Sequence, residues 1–412
     1  MALSFTSLLR RLLEVEFRFA VDPNFMHLEE KMARHYGLKV VAGDTLLTWL
    51  SHHPALFPLM PVVSKKQRMM ASSQRRRQRN NWRRIHAAYQ EVIRDVDAVV
   101  NLNGIAFIGD GTRSWISSLT ERTCSIYARK HQKPFFRFVQ SYGPFTDWRV
   151  RRLAKLEFSR LPCVMARGET SAAHCREITG TSVYAYPDIA VTLPCADSNW
   201  LNRYLKGLGL VSGKYIVLSP SAVIARMPSS KTSATGEGHV ALFAGIAKHF
   251  LSRGRDILFV PHATFPEPFQ CDRAVSKRCL QLLIKDDRSA AARCRIVEDE
   301  LDAMQLKSLI SSARLAVVSR YHALVAALST GVPAVTIGWN DKYLDIMAYY
   351  HCQDHVVDAR RGSPGSVLNA VIHRCGLWSL NQQNELKSRQ PLVEDKVHRA
   401  VQLCADWIKT HA

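Results

Sequence analysis

In the second half of the chain, short apolar runs alternate with helix-length amphipathic stretches. Tyr215–Pro220, Asp256–Pro261, Cys294–Val297, Leu315–Ser319 and Pro333–Trp339 are four to seven residues long and rich in Val, Ile and Leu, as buried strands are. Between them, His239–Leu251, Asp272–Ile284, Asp302–Ser312, Tyr321–Thr330 and Asp341–Tyr350 carry apolar residues at helical spacing. Ser252-Arg253-Gly254 and Gly331 are stop signals after two of these helices. Strand–helix alternation predicts βαβ units with right-handed crossovers and a parallel sheet covered on both faces.

The first half repeats the theme. Val96–Leu102, Phe135–Gln140, Val164–Arg167 and Val183–Tyr186 read as strands. Ser114–His131, Asp147–Ser159 and Thr170–Ile178 read as helices, the second of them basic and amphipathic. No clean strand is expected before Gly43-Asp44. The pattern predicts an α/β protein of two lobes, 1–195 and 203–385, with Pro194–Asn202 as a hinge. Val393–Ile408 is an amphipathic helix, and the tail 393–412 is expected to pack back on the first lobe.

Composition adds a constraint on partners. The 412 residues include 56 Lys and Arg against 35 Asp and Glu, a formal net charge of +21. With 47% hydrophobic residues the chain is globular, not disordered or fibrous. The charge excess calls for an anionic partner: nucleic acid, an acidic membrane surface or a phosphorylated small molecule. Nine cations and no acid fall between Lys65 and Arg84, which predicts an exposed basic insertion over 64–84. Two 20-residue windows lack charged residues, Thr45–Ser64 and Tyr321–Asn340, but proline and glycine interrupt both, so a soluble core is the better reading. The opening apolar stretch precedes its basic residues, the reverse of a secretory signal, and a cytoplasmic protein is expected. The ten cysteines are scattered without a C-x-x-C pair, and no Cys/His cluster has ligand spacing, so neither a metal nor a cofactor is expected. No phosphate-binding loop, nucleophile elbow, zinc-protease or dinucleotide glycine motif is present.

In open parallel sheets ligands bind beyond the carboxyl ends of the strands, where the next helix turns its free N–H groups and positive dipole end to the crevice. Four places meet that condition. Ser319-Arg320-Tyr321-His322 joins an apolar strand to an apolar helix; Arg320 offers a planar fork for carboxylate or phosphate, and His322 lies in the first helical turn. A structural arginine and a satisfied core histidine would give the same pattern. Arg167 ends the strand Val164–Arg167, where a salt bridge to Glu169 or Glu177 is the plainer reading. Lys342 follows Pro333–Trp339 and could reach the same crevice as Arg320, or be a solvated first-turn lysine. His262 follows Asp256–Pro261, with a satisfied loop histidine as its alternative. In the first lobe, Asp44, Asn103 and Tyr142 sit in turns that could contact a sugar.

SRYHALVAALSTGVPAVTIGWNDKY (Ser319–Tyr343) resembles the polysaccharide pyruvyltransferase family, which has a similar strand, Arg-x-His-Ala turn, apolar helix, Gly-Val-Pro and strand before a Lys. Gly43-Asp44, Val99–Gly104, Gln140–Pro144, Met165–Gly180 and Tyr186–Pro194 agree in order, so the resemblance covers roughly residues 40–350. It departs at the first-lobe glycine cluster, reduced to Asn103-Gly104, and at the basic block. The resemblance implies two Rossmann-like lobes in the GT-B arrangement of two-lobed glycosyltransferases. It implies phosphoenolpyruvate as co-substrate and a hexose unit of a bacterial polysaccharide, or its lipid-linked precursor, as acceptor, with a pyruvate ketal and phosphate as products. His322 and Arg320 would then be catalytic, and Arg320, Tyr321, Arg167 and Lys342 would hold phosphoenolpyruvate. The basic block 65–84 would face an anionic membrane at its inner side rather than a specific nucleic acid. Two other readings stay open: a nucleotide-sugar-dependent glycosyltransferase, with Arg320 and Lys342 gripping a diphosphate, and a non-catalytic nucleic-acid binder using 65–84.

Overall fold

The computed structural model describes residues 96–411 apart from 112–114, 228–233, 266–269, 339 and 361, and before them 8, 12, 18–21, 39–42, 93 and 94. Asp44 and the basic block 65–84 lie outside the described residues. The chain divides into two compact units, one made of Pro187–His398 and one of Ser4–Tyr186 with Arg399–Ala412.

The unit Pro187–His398 is built on one six-stranded sheet. Its strands are β9 (Tyr215–Ser219), β10 (Asp256–Phe259), β11 (Cys294–Ile296), β12 (Leu315–Val318), β13 (Ala334–Gly338) and β14 (Val356–Asp358). All pair in parallel, in the order β11-β10-β9-β12-β13-β14. Numbered within this unit the order is 3-2-1-4-5-6, the doubly wound arrangement of dinucleotide-binding folds. Consecutive strands move outward one way from β9, then restart beside it at β12. Val318 pairs with Ser219 at this switch point, the place in the strand order where open parallel sheets bind their ligands.

The helices of this unit are α5 (Ser198–Leu208), α6 (Ala222–Ala225), α7 (Glu237–Leu251), α8 (Asp272–Asp286), α9 (Arg288–Ala291), α10 (Ala303–Ser311), α11 (Tyr321–Ser329), α12 (Lys342–Tyr349) and α13 (Pro364–Gly376). Phe243, Ile246, Ala247 and Phe250 of α7 pack with Val275, Cys279 and Leu283 of α8 and with Ile216, Leu218, Ile257 and Phe259 of the sheet. Asp302 and Gln305 cap α10 reciprocally, with side chain to backbone bonds of 2.8 and 2.9 Å. α5 starts inside the segment expected as a hinge: Asp197 accepts from the amides of Asn199 and Trp200 and fixes the helix start at Ser198. Residues 198–202 are therefore helical.

The other unit carries short parallel pairs: β1 (Arg18–Val21) with β2 (Lys39–Ala42), β3 (Val99–Asn101) with β5 (Phe135–Arg137), β4 (Ile105–Ala106) with β6 (Ser141–Tyr142), and β7 (Val164–Arg167) with β8 (Val183–Tyr186). β2 ends at Ala42, the residue before Gly43 in the sequence, so the strand not expected before Gly43-Asp44 is present. Four residues with a lysine at one end gave too short a pattern to see. The helices are α1 (Trp115–Thr120), α2 (Thr123–Lys130), α3 (Trp148–Phe158) and α4 (Glu169–Arg176). The single helix expected over Ser114–His131 is two, broken at Glu121-Arg122. There the Glu121 carbonyl accepts from the Arg137 guanidinium.

Beneath that break lies a buried ionic cluster. Arg137 donates from Nε and Nη2 to Glu157 Oε1 at 3.1 and 2.8 Å, and neither side chain is exposed. Arg122 adds a bond to Glu157 Oε2 at 3.2 Å. The chain continues from Arg137 Nη1 to Gln140 Oε1, and from Gln140 Nε2 to Asn101 Oδ1 at 2.6 Å. It ties the carboxyl end of β3 to the loop between β5 and β6. α14 (Leu380–His411) is the last helix; it starts well before the expected Val393 and passes through Pro391. None of the described helices is long and apolar enough to cross a membrane.

Candidate active site

Each polar residue at the switch point of the six-stranded sheet is placed by a strand end. β9 ends in Ser219, whose hydroxyl donates to the Val260 carbonyl at 2.8 Å and lies 3.3 Å from His262 Nδ1. β12 delivers Ser319 and Arg320. Arg320 is the N-cap of α11, with φ −103° and ψ 130°, so Tyr321 and His322 are the first two helical residues. Their backbone N–H groups belong to the first turn, which has no intrahelical acceptor and attracts anions.

Arg320 is held by Asp272, the first residue of α8. Its Nε donates to Oδ2 at 2.6 Å and its Nη2 donates to Oδ1. Asp272 is fully buried, while the arginine side chain keeps 19% exposure. The carboxylate also accepts from three backbone amides: Ala222 at 2.8 Å, Ala263 at 2.9 Å and His262 at 3.3 Å. One buried anion thus fixes the loop after β9, the loop after β10 and the guanidinium after β12. The bonded edge of the fork is committed to Asp272, and the rest of it faces outward.

His239, in the first turn of α7, completes the frame. It is fully buried, its Nε2 accepts from the Ser221 amide at 3.1 Å, and its ring meets Phe243 edge-on. Burial, with Arg320 nearby, pushes its pKa down to about 3, so the ring is neutral. His262 is half-buried and brought down to about 4, again mainly by burial, with Val260 and Ser219 against Nδ1.

On the other side of Arg320, the Tyr321 ring gathers the remaining candidates. His322 lies 5.6 Å from it, edge to face, and is exposed. Lys342 Nζ stands 5.5 Å from the Tyr321 ring and 5.3 Å from that of Tyr343. Tyr343 is buried and donates to the Ser319 carbonyl at 2.9 Å. It fits because residue 338 is glycine: a Cβ there would come within 2.9 Å of its ring. Arg320, Tyr321, His322 and Lys342 therefore share one corner of one unit. His262 borders the opposite side of that corner through Asp272.

The other expected residues fall in the other unit. Arg167 is buried at the end of β7, and its Nε donates to Ser141 Oγ at 2.9 Å. Glu169, one of its two expected ion-pair partners, pairs with Arg176. Tyr142 is not available to a sugar: it is 2% exposed and stacks edge-on against Phe158 in the core. Asn103 is exposed, its amide bonded to Asn101 Oδ1 at 3.0 Å. Sequence reasoning missed Asp272 and His239. An Asp in a first helical turn is common for dipole reasons alone, and a lone His in an apolar helix reads as core.

Comparison with known proteins gives three findings. Residues 48–341 match the family model for polysaccharide pyruvyl transferase. The amylovoran biosynthesis protein AmsJ of Erwinia amylovora is 21% identical over 293 residues, which are 69% of this chain and 66% of that protein, so the chain spans just under two thirds of that relative. Among solved structures, the UDP-GlcNAc 2-epimerase from Neisseria meningitidis bound to UDP-GlcNAc has a TM-score of 0.50 over 96% of both chains at 11% identity. The S. aureus MnaA–UDP co-structure has a TM-score of 0.50 over 90% of both chains at 12% identity. These two likenesses concern the fold: parallel α/β units of GT-B type. The family match covers well over half of the sequence and includes Arg320, Tyr321 and His322, and the chain belongs to the polysaccharide pyruvyl transferase family.

Proposed function

We propose that the protein transfers pyruvyl from phosphoenolpyruvate to a hexose unit of a polysaccharide or of its lipid-linked precursor, forming a cyclic ketal and releasing phosphate. The observation that carries this reading is Arg320, locked by Asp272 at the N-terminus of α11 with Lys342 beside Tyr321. Phosphoenolpyruvate carries a carboxylate and a phosphate on adjacent positions. A preorganised guanidinium, an ammonium and a helix N-terminus within one corner suit such an anion.

A proton added to the methylene carbon leaves the central carbon electron-poor. A sugar hydroxyl attacks that carbon and loses its proton. Phosphate departs with the C–O bond electrons, and a second hydroxyl closes the ketal and loses its proton in turn. His322, exposed in the first turn of α11, exchanges one of these protons in this reading, which its position and exposure support. Cations that neutralise the departing phosphate act most strongly where charge develops, which assigns that role to Arg320 and Lys342.

The test is incubation with phosphoenolpyruvate and candidate saccharides, followed by phosphate release and product mass. A gain of one pyruvate less one water on the acceptor is the expected result. His322→Ala should lower turnover by about 10²-fold or more, and near wild-type turnover would remove His322 from the mechanism. Stabilisation by nucleoside diphosphates but not by phosphoenolpyruvate in a thermal-shift series would instead favour a sugar-nucleotide donor.

A further inference from the structure

α3 (Trp148–Phe158) has one face in the core and one outside, and the two differ sharply in charge. Val150, Ala154, Glu157 and Phe158 are buried. The helix's only acid, Glu157, is thus turned inward, where Arg137 and Arg122 neutralise it. The outward face carries Trp148, Arg152, Lys155, Leu156 and Ser159, with Arg151 and Arg160 at its flanks, all exposed. Trp148 is 68% exposed and Leu156 40%. Arg149 is the exception among the cations, paired with the N-cap Asp147 at 2.7 Å. Among the described residues no salt bridge involves Arg151, Arg152, Lys155 or Arg160.

An exposed indole and leucine set among four cations is an arrangement that suits a lipid headgroup layer. Tryptophan prefers the membrane interface, and arginine and lysine bind anionic headgroups while their stems cover apolar surface. A purely solvated basic face would need no tryptophan, and a groove for a partner protein would need shape that a convex helix lacks. We propose that the outward face of α3 docks on an anionic phospholipid bilayer, with Trp148 and Leu156 entering the headgroup layer and Arg151, Arg152, Lys155 and Arg160 meeting its phosphates. The proposal stands independently of the reaction assigned above.

The full chain is to be sedimented with vesicles of phosphatidylglycerol and phosphatidylcholine, and with phosphatidylcholine alone. Binding to the first and not the second is expected. Arg151→Glu, Arg152→Glu and Lys155→Glu combined should weaken it by about tenfold or more, with an unchanged circular dichroism spectrum. The nine cations between Lys65 and Arg84 remain in that variant, so retained binding would assign attachment elsewhere and overturn the proposal. Lipids brominated near the headgroup should quench wild-type fluorescence more than that of Trp148→Phe. Equal quenching of the two, or binding to DNA that the triple variant loses while vesicle binding persists, would also overturn it.

Discussion

Arg320 donates from Nε to Asp272 Oδ2 at 2.6 Å, so the guanidinium at the end of β12 is aimed by a carboxylate from the start of α8. Because the same carboxylate holds the amides of Ala222, Ala263 and His262, it acts on three strand-end loops at once. Removing a fully buried anion leaves a partly buried cation and three amides with a weaker acceptor. Asp272→Asn should therefore cost about 2–4 kcal/mol of stability. It should also lower phosphoenolpyruvate-dependent phosphate release more than the stability loss accounts for, by about 10²-fold at a temperature where the variant is folded. Urea unfolding and steady-state kinetics measure the two parts, and unchanged kinetics would mean Arg320 needs no aiming.

Arg320→Lys tests the same relationship from the other side. Lysine keeps the charge but cannot bond both Asp272 oxygens through a planar fork. A rise in KM for phosphoenolpyruvate of about tenfold or more is expected, with the folded state retained. An unaltered KM would show that Arg320 serves the frame and not the donor.

Acid should loosen this corner before it protonates the surface carboxylates. The unfolded chain takes up a proton on His239 near pH 6.5, whereas the folded chain holds that ring neutral down to about 3. Between those values the unfolded state binds more protons. The histidine's stabilising contribution is thus complete above about pH 6.5 and is lost as pH falls, by about 1.4 kcal/mol per pH unit. His262, brought down to about 4, adds in the same direction with a smaller weight because it is only half-buried. Urea midpoints from pH 7.5 to 5 should fall, and the slope should flatten in His239→Gln. An equally steep slope in that variant would place the acid sensitivity elsewhere.

The sheet of the unit Pro187–His398 was legible because buried parallel strands are short, apolar and evenly interrupted: β9, β10, β12 and β13 were expected within two residues of their ends. β14 and α13 were not seen, since Val356–Asp358 has three residues and ends in a charge. Pro391 hid the first turns of α14 for a similar reason, as proline usually stops a helix. At the site, Arg320, Tyr321, His322 and Lys342 were visible because they follow the carboxyl ends of two consecutive strands, where parallel sheets bind ligands. Asp272 and His239 were not, because their role depends on loops that meet only in three dimensions.

In the other unit, Glu157 is the carboxylate shared by Arg137 and Arg122, both buried. Burial alone would raise its pKa, but Arg137 first, then Ser125 and Arg122, outweigh that and hold it below the ordinary carboxylate value. Its contribution is accordingly present at neutral pH and lost only as pH falls through that lowered value. Glu157→Gln removes the charge and keeps the shape, leaving two buried guanidiniums uncompensated. The expected cost is about 3–5 kcal/mol, read as a lower urea midpoint, and a loss below 1 kcal/mol would show that water reaches the cluster.

Gly338 decides whether Tyr343 can stand where it does. A Cβ at 338 would lie 2.9 Å from Tyr343 Cδ2 and 3.0 Å from Cγ, closer than carbon atoms pack. Gly338→Ala must then displace the ring. That displacement breaks its 2.9 Å bond to the Ser319 carbonyl and removes the face against which Lys342 Nζ rests. Overpacking of this kind costs about 1–3 kcal/mol. The functional loss should be larger than the stability loss, since Ser319 precedes Arg320 and Lys342 is one of the two cations assigned to the donor. Tyr343→Phe separates the causes: it keeps the ring under Lys342 and deletes only the bond to Ser319. It should therefore lose stability by about 1 kcal/mol while keeping most of the phosphate release that Gly338→Ala loses. Equal activity in the two variants would mean that the position of Lys342 does not matter to the reaction.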